Sequence, residues 1–194
     1  AQGCRPIGEP VKISKCNDTL LTGMDGQPPL DLLQTIHEEL DEKDQSLLQT
    51  SLFLGIEMDP LKDNPQQGDF LIRNIMAADK ESGGIQVGAM LREGQLVQFH
   101  LRDKDMSAED LRLVLNRYKT KEHSEKASGA LLFSCLGRGQ YLYEKLNHDS
   151  DMFRDQLGDI PLGGFFCNGE IGPVGKTTFL HGYTSSFGIF HPIH

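Results

Sequence analysis

Gly129-Ala130-Leu131-Leu132-Phe133-Ser134-Cys135 is an apolar run of strand length that stops in Leu136-Gly137-Arg138-Gly139. Leu162-Gly163-Gly164-Phe165-Phe166-Cys167-Asn168 repeats the design and stops in Gly169-Glu170-Ile171-Gly172-Pro173. Both runs are too short and too evenly apolar for amphipathic helices, so they read as strands ending in glycine turns. Between them, Met152, Phe153 and Leu157 give one apolar side to a short helix over Ser150–Leu157. Beyond them, Thr177–Tyr183 and Ser185–Phe190 have the composition of two last strands.

Working outward to the N-terminal side, the pattern holds. Val11-Lys12-Ile13-Ser14 alternates as a half-buried strand does, and Ser51–Ile56 is a strand closed by Asp59-Pro60. Leu30, Leu32, Leu33, Ile36 and Leu40 recur at helical spacing behind Pro28-Pro29. Proline is tolerated in a first turn, so this helix is expected to begin near Pro29. Asp69–Met76, Ile85–Arg92 and Gln95–Arg102 read as strands, the last two as a hairpin across Glu93-Gly94. Ser107 is the expected cap of a helix carrying Leu111, Val114, Leu115 and Tyr118. Many strands with a few segregated helices describe an α+β fold. Its sheet or sheets are expected to be largely antiparallel and hairpin-linked, with about three helices packed on one or both faces.

Residues 1–10, with Gly3, Pro6, Gly8 and Pro10, read as a connector from an upstream half, leaving 11–194 as a single domain. The net charge of −9 argues against nucleic acid as a partner, and no apolar run is long enough to suggest a membrane span. Four cysteines in a chain of this length suggest reduced thiols and a cytoplasmic protein rather than a disulfide scaffold.

Chemistry concentrates at the two strand ends. Cys135 with Arg138, and Cys167 with Asn168 and Glu170, would share an edge if the strands are neighbours. The turns then either close on an Arg138–Glu170 ion pair or floor a pocket. Asn147-His148-Asp149-Ser150 reads as a helix cap with an acidic first turn; alternatively, His148 and Asp149 face the same edge. Arg73-Asn74 inside a strand is unusual, because a buried Arg needs a carboxylate. No Cys/His arrangement is diagnostic of a nucleophile, and no ligand pair has metal spacing, so neither catalysis nor a cofactor is expected. Gly169–Thr177 resembles a phosphate-binding loop, but Glu170 stands where the first Gly belongs and Pro173 removes an amide.

Gly3-Cys4-Arg5-Pro6-Ile7-Gly8, Asp69-Phe70-Leu71-Ile72-Arg73-Asn74, Gly129–Gly139 and above all Gly163–Val174 give the chain its resemblance to a family. They occur in order along nearly the whole chain, and it resembles the C-terminal part of the FIST domain (F-box and intracellular signal transduction proteins). The resemblance implies a small-ligand sensor, with amino acids suggested, partnered by an upstream FIST half. A zwitterion or small carboxylate would then place its anionic group on Arg138 and its cationic group on Glu170. Asn74 and Asn168 would supply neutral hydrogen bonds, and Arg73, Cys135, His148, Asp149 and Cys167 would complete the pocket. A protein-interaction scaffold with purely structural glycine turns is the alternative.

Overall fold

The computed structural model describes residues 1–121 and 127–192. The chain divides into two compact units, Cys4–Arg102 and Ala1–Gly3 with Asp103–His194, where one domain over 11–194 was expected. The fold is α+β, as the pattern implies, with five helices among the described residues.

The first unit is a closed six-stranded barrel of β1 (Cys4–Asn17), β2 (Leu20–Met24), β3 (Leu52–Glu57), β4 (Phe70–Asp79), β5 (Gly84–Val87) and β6 (Leu96–Arg102). All pairings are antiparallel, in the order β1-β2-β5-β4-β3-β6. Alternate residues, among them Leu21, Leu54, Ile56, Ile85, Val97 and Phe99, gather into one core. α1 (Pro29–Glu39) starts at the proline pair and turns Ile36 into that core. α2 (Glu42–Leu48), capped by the Asp41 carboxylate, is a helix that the sequence did not announce.

Two expectations fail here. Residues 4–10 are strand, not connector: β1 pairs with β6 from Cys4 to Ile7 and again at Val11 and Lys12, then turns to β2. The register breaks around Gly8, whose φ of +59° favours glycine. The Gly and Pro residues thus serve a bent strand that closes the barrel. Nor do the segments around Glu93-Gly94 form a hairpin. β5 ends at Val87 and lies between β2 and β4, whereas β6 lies between β3 and β1. Apolar alternation says which face a strand buries, but not which neighbour it takes.

The second unit holds a three-stranded sheet, β11-β7-β8, and a hairpin, β9-β10. β7 is Gly129–Cys135, β8 Leu162–Cys167, β9 Glu170–Val174, β10 Thr177–His181 and β11 Ser185–Phe190. β7 and β8 run parallel, with Cys135 opposite Cys167, and β11 is antiparallel to β7. Parallel neighbours need a crossover, which α4 (Gln140–Tyr143) and α5 (His148–Leu157) supply. α3 (Lys104–Lys119) packs Leu111 and Leu115 with Ala130 and Phe153 in a second core. Its cap is Asp103, which accepts from Met106 N at 2.8 Å, not Ser107 as expected; Ser107 is buried and donates to Gly3 O. The glycine segment at 169–177 is the β9-β10 hairpin, turning at Gly175-Lys176.

Candidate functional site

The parallel register brings the ends of β7 and β8 together, so both glycine turns do lie on one edge of the sheet. Leu136 N bonds Cys167 O across them at 2.9 Å. The turn after Cys135 needs Gly139, whose φ of +70° with ψ of −143° is glycine territory. A Cβ there would also meet the Phe166 ring at 2.9 Å.

That turn sends Arg138 into the protein. Its side chain is wholly buried, and its partner is Asp149 rather than Glu170. Nε meets Oδ2 at 2.8 Å and Nη2 meets Oδ1 at 3.2 Å, a two-point ion pair. Nη2 also donates to the Tyr143 hydroxyl. Asp149 sits in the first turn of α5, where the helix dipole favours an anion. Its carboxylate further accepts from the hydroxyls of Ser134 and Ser185 and meets Nδ1 of His148 at 3.1 Å. Burial alone would raise its pKa. The hydrogen bonds and charge of Arg138, aided by Ser185 and His148, overcome that and hold it well below the usual carboxylate range. His148 lies flat on Tyr143, with ring centroids 3.5 Å apart and 10° between planes.

Of these groups, Ser134, Arg138, His148 and Asp149 line a cavity of about 460 Å³, while Tyr143 and Ser185 support them from outside its lining. The rest of the lining is mainly apolar, with Leu132, Leu136, Leu146, Leu162, Phe165 and Phe166. Its mouth is apolar too: Tyr141 is 93% exposed, Leu146 66% and Phe165 64%. Gly164 lines the floor with φ +155°, and a Cβ there would stand 1.9 Å from Leu132 O.

Of the expected site residues, Arg138, His148 and Asp149 meet at this cavity. Cys135 and Cys167 end their strands beside it as free thiols and do not line it. Glu170 is buried and accepts from Thr184 N at 3.2 Å and Thr184 Oγ1 at 2.7 Å, with the Cys167 thiol 3.4 Å away. Burial, with the hydrogen bond to Glu170, pushes that thiol pKa up. The Arg138–Glu170 pair of the sequence reading therefore does not form, since each group is engaged elsewhere. Asn168 is exposed and outside the lining. Arg73 and Asn74 belong to β4 of the barrel unit; Arg73 is half-buried, bonding Ile72 O, and Asn74 is exposed. Tyr143, Ser134 and Ser185 were missed, because a hydroxyl that supports a carboxylate leaves no spacing signal. Among the described residues no cluster of His, Cys, Asp and Glu could hold a metal. None of the described helices is long and apolar enough to cross a membrane.

Residues 30–173 match the model of the FIST C domain family. An uncharacterized protein of Mycobacterium bovis is 40% identical over 190 residues, covering 98% of this chain and 49% of that protein. One of Mycobacterium tuberculosis is 41% identical over the same length and coverage. Human F-box only protein 22 is 32% identical over 108 residues, 47% of this chain and 27% of that protein. The chain spans about half the length of the mycobacterial relatives. It belongs to the FIST C domain family, a family of signal-transduction sensory domains.

Proposed function

We propose that the chain is a small-ligand-sensing module of a signal-transduction protein and that the cavity between β7, β8 and the N-terminus of α5 is its binding site. The observation that carries this reading is the cavity's construction. A mainly apolar pocket of a size usual for small molecules faces a polar wall that a buried Arg138–Asp149 pair holds rigid. Rigid polar groups beside an apolar wall bind with little loss of conformational freedom. The relatives' additional length is the natural source of a partner half that would read the site out.

A thermal-shift screen of amino acids, small carboxylates and neutral aromatics tests the reading. A ligand at about a hundred times its Kd adds roughly 2.7 kcal/mol to the native state. Ser150→Phe, which fills the cavity from α5, is expected to abolish the shift. The exposed apolar mouth favours a second reading, a protein-docking surface. That reading takes over if no compound of any class stabilises the protein.

A further inference from the structure

The polar wall is organised around one imidazole. Asp149 holds His148 in the plane of its ring, and Tyr143 holds it from the face. Arg138 stands behind both, bonding the Asp149 carboxylate with two nitrogens and the Tyr143 hydroxyl with one of them. Two contacts therefore orient the ring, and one buried guanidinium orients both contacts. A carboxylate only accepts, so Nδ1 carries the proton between them, and in the neutral imidazole Nε2 is the lone-pair nitrogen. Among the described residues Nε2 has no hydrogen-bond partner, and His148 lines the cavity.

Charge narrows the choice of ligand. Arg138 and Asp149 are paired with each other, so the fixed charges of the polar wall cancel. A free carboxylate, ammonium or zwitterion would leave water for a site whose counter-charges are already paired, which is strongly unfavourable. Arg138 cannot offer the two-donor fork that a carboxylate wants, because Asp149 occupies it. The rest of the lining is uncharged: mostly Leu, Phe and Gly, with Tyr141 and the neutral polar side chains of Gln140, Asn147 and Ser150.

We propose that the cavity takes a neutral, largely apolar molecule that donates one hydrogen bond, from an O–H or N–H, to Nε2 of His148. This rests on the reading of the cavity as a small-ligand site and names the chemistry of its ligand. It replaces the zwitterion that the sequence alone suggested.

The test uses phenol, toluene and benzoate as probes of one size, at about pH 8.5, above the ordinary imidazole range. Binding is followed by the amide NMR signals of Gly163 and Gly164, and the imidazole by its own nitrogen shifts. Phenol is expected to bind at least about tenfold tighter than toluene, the discrimination of one good hydrogen bond, and tighter than benzoate. His148→Phe keeps a ring on Tyr143 and removes Nε2; toluene binding should persist and the preference for phenol disappear. Should that variant misfold, the wild-type signal decides alone, since Nε2 must shift with phenol and not with toluene. Equal binding of phenol and toluene, or tighter binding of benzoate, overturns the proposal and leaves the sensor reading standing. If none of the three probes moves the glycine signals the proposal also fails. The sensor reading falls with it only when the wider thermal screen is negative as well.

Discussion

Asp149→Ala is the most informative single perturbation of the site. It leaves a guanidinium with no exposed side-chain surface and without its ion-pair partner, and it removes the acceptor shared by Ser134, Ser185 and His148. Removing one partner of a buried pair costs about 3–5 kcal/mol, because the other charge stays buried and uncompensated. With an m-value of ~2 kcal/mol/M, the urea midpoint of the unit carrying the pair should fall by about 1.5–2.5 M. The chain has no Trp, so far-UV circular dichroism is the natural probe. A double variant, Arg138→Met with Asp149→Leu, separates charge from packing. Replacing both ions by apolar groups is often neutral, so it should be more stable than Asp149→Ala alone. A midpoint for Asp149→Ala within about 0.3 M of the wild type, under 1 kcal/mol on that slope, would refute the buried pair as the organiser of the wall.

His100 is buried in β6, and burial, partly offset by its bond to Gln98 O, lowers its pKa to about 4. Its folded value lies below its unfolded one. Its contribution is therefore complete above about pH 6.5 and is lost as pH falls through about 4, at most ~3 kcal/mol. His100→Leu should flatten that part of the stability–pH curve, and an unchanged slope would count against burial. Gly164→Ala should destabilise the cavity's unit by more than ~1 kcal/mol in urea titration, because its Cβ would strike the Leu132 carbonyl. Wild-type stability there would mean that β8 relaxes freely. Iodoacetamide should label no cysteine rapidly near pH 6, since the Cys167 thiol is pushed up rather than down. One fast site would revive a nucleophilic role. All four thiols are free, so dithiothreitol should leave the melting curve unmoved, and a drop would reveal a cross-link.

The sequence disclosed what periodicity and punctuation can carry. α1 begins at its proline pair, β6 alternates through Val97, Phe99 and Leu101, and β7 and β8 end in like turns that the structure sets side by side. It could not disclose partners. β5 and β6 look like a hairpin because each alternates, yet closure of the barrel hands each to other neighbours. The site followed the same rule. His148 and Asp149 were legible as a polar cluster that could face the glycine turns, and they do. Which carboxylate would meet Arg138 was not legible. Glu170 occupies the matching position after the second strand, but Asp149 reaches the guanidinium from the crossover helix while Glu170 turns to Thr184. Tyr143 was hidden for a simpler reason: a single helical turn is too short to show a period.

The barrel and the three-stranded sheet differ in how they finish. In the barrel, β1 pairs with β6 and every strand has two neighbours, so no row of unpaired amides and carbonyls faces outward. The three-stranded sheet ends on β8, an uncharged Leu-Gly-Gly-Phe-Phe-Cys run with both phenylalanines more than half exposed. Uncharged apolar edges of this kind template strand addition between molecules. Gly163-Gly164 weakens the template, since glycine is a poor strand former and Gly164 departs from extended geometry. The residues that shape the floor of the cavity therefore also act as its guard against self-association, and substitutions that regularise β8 would trade solubility for order.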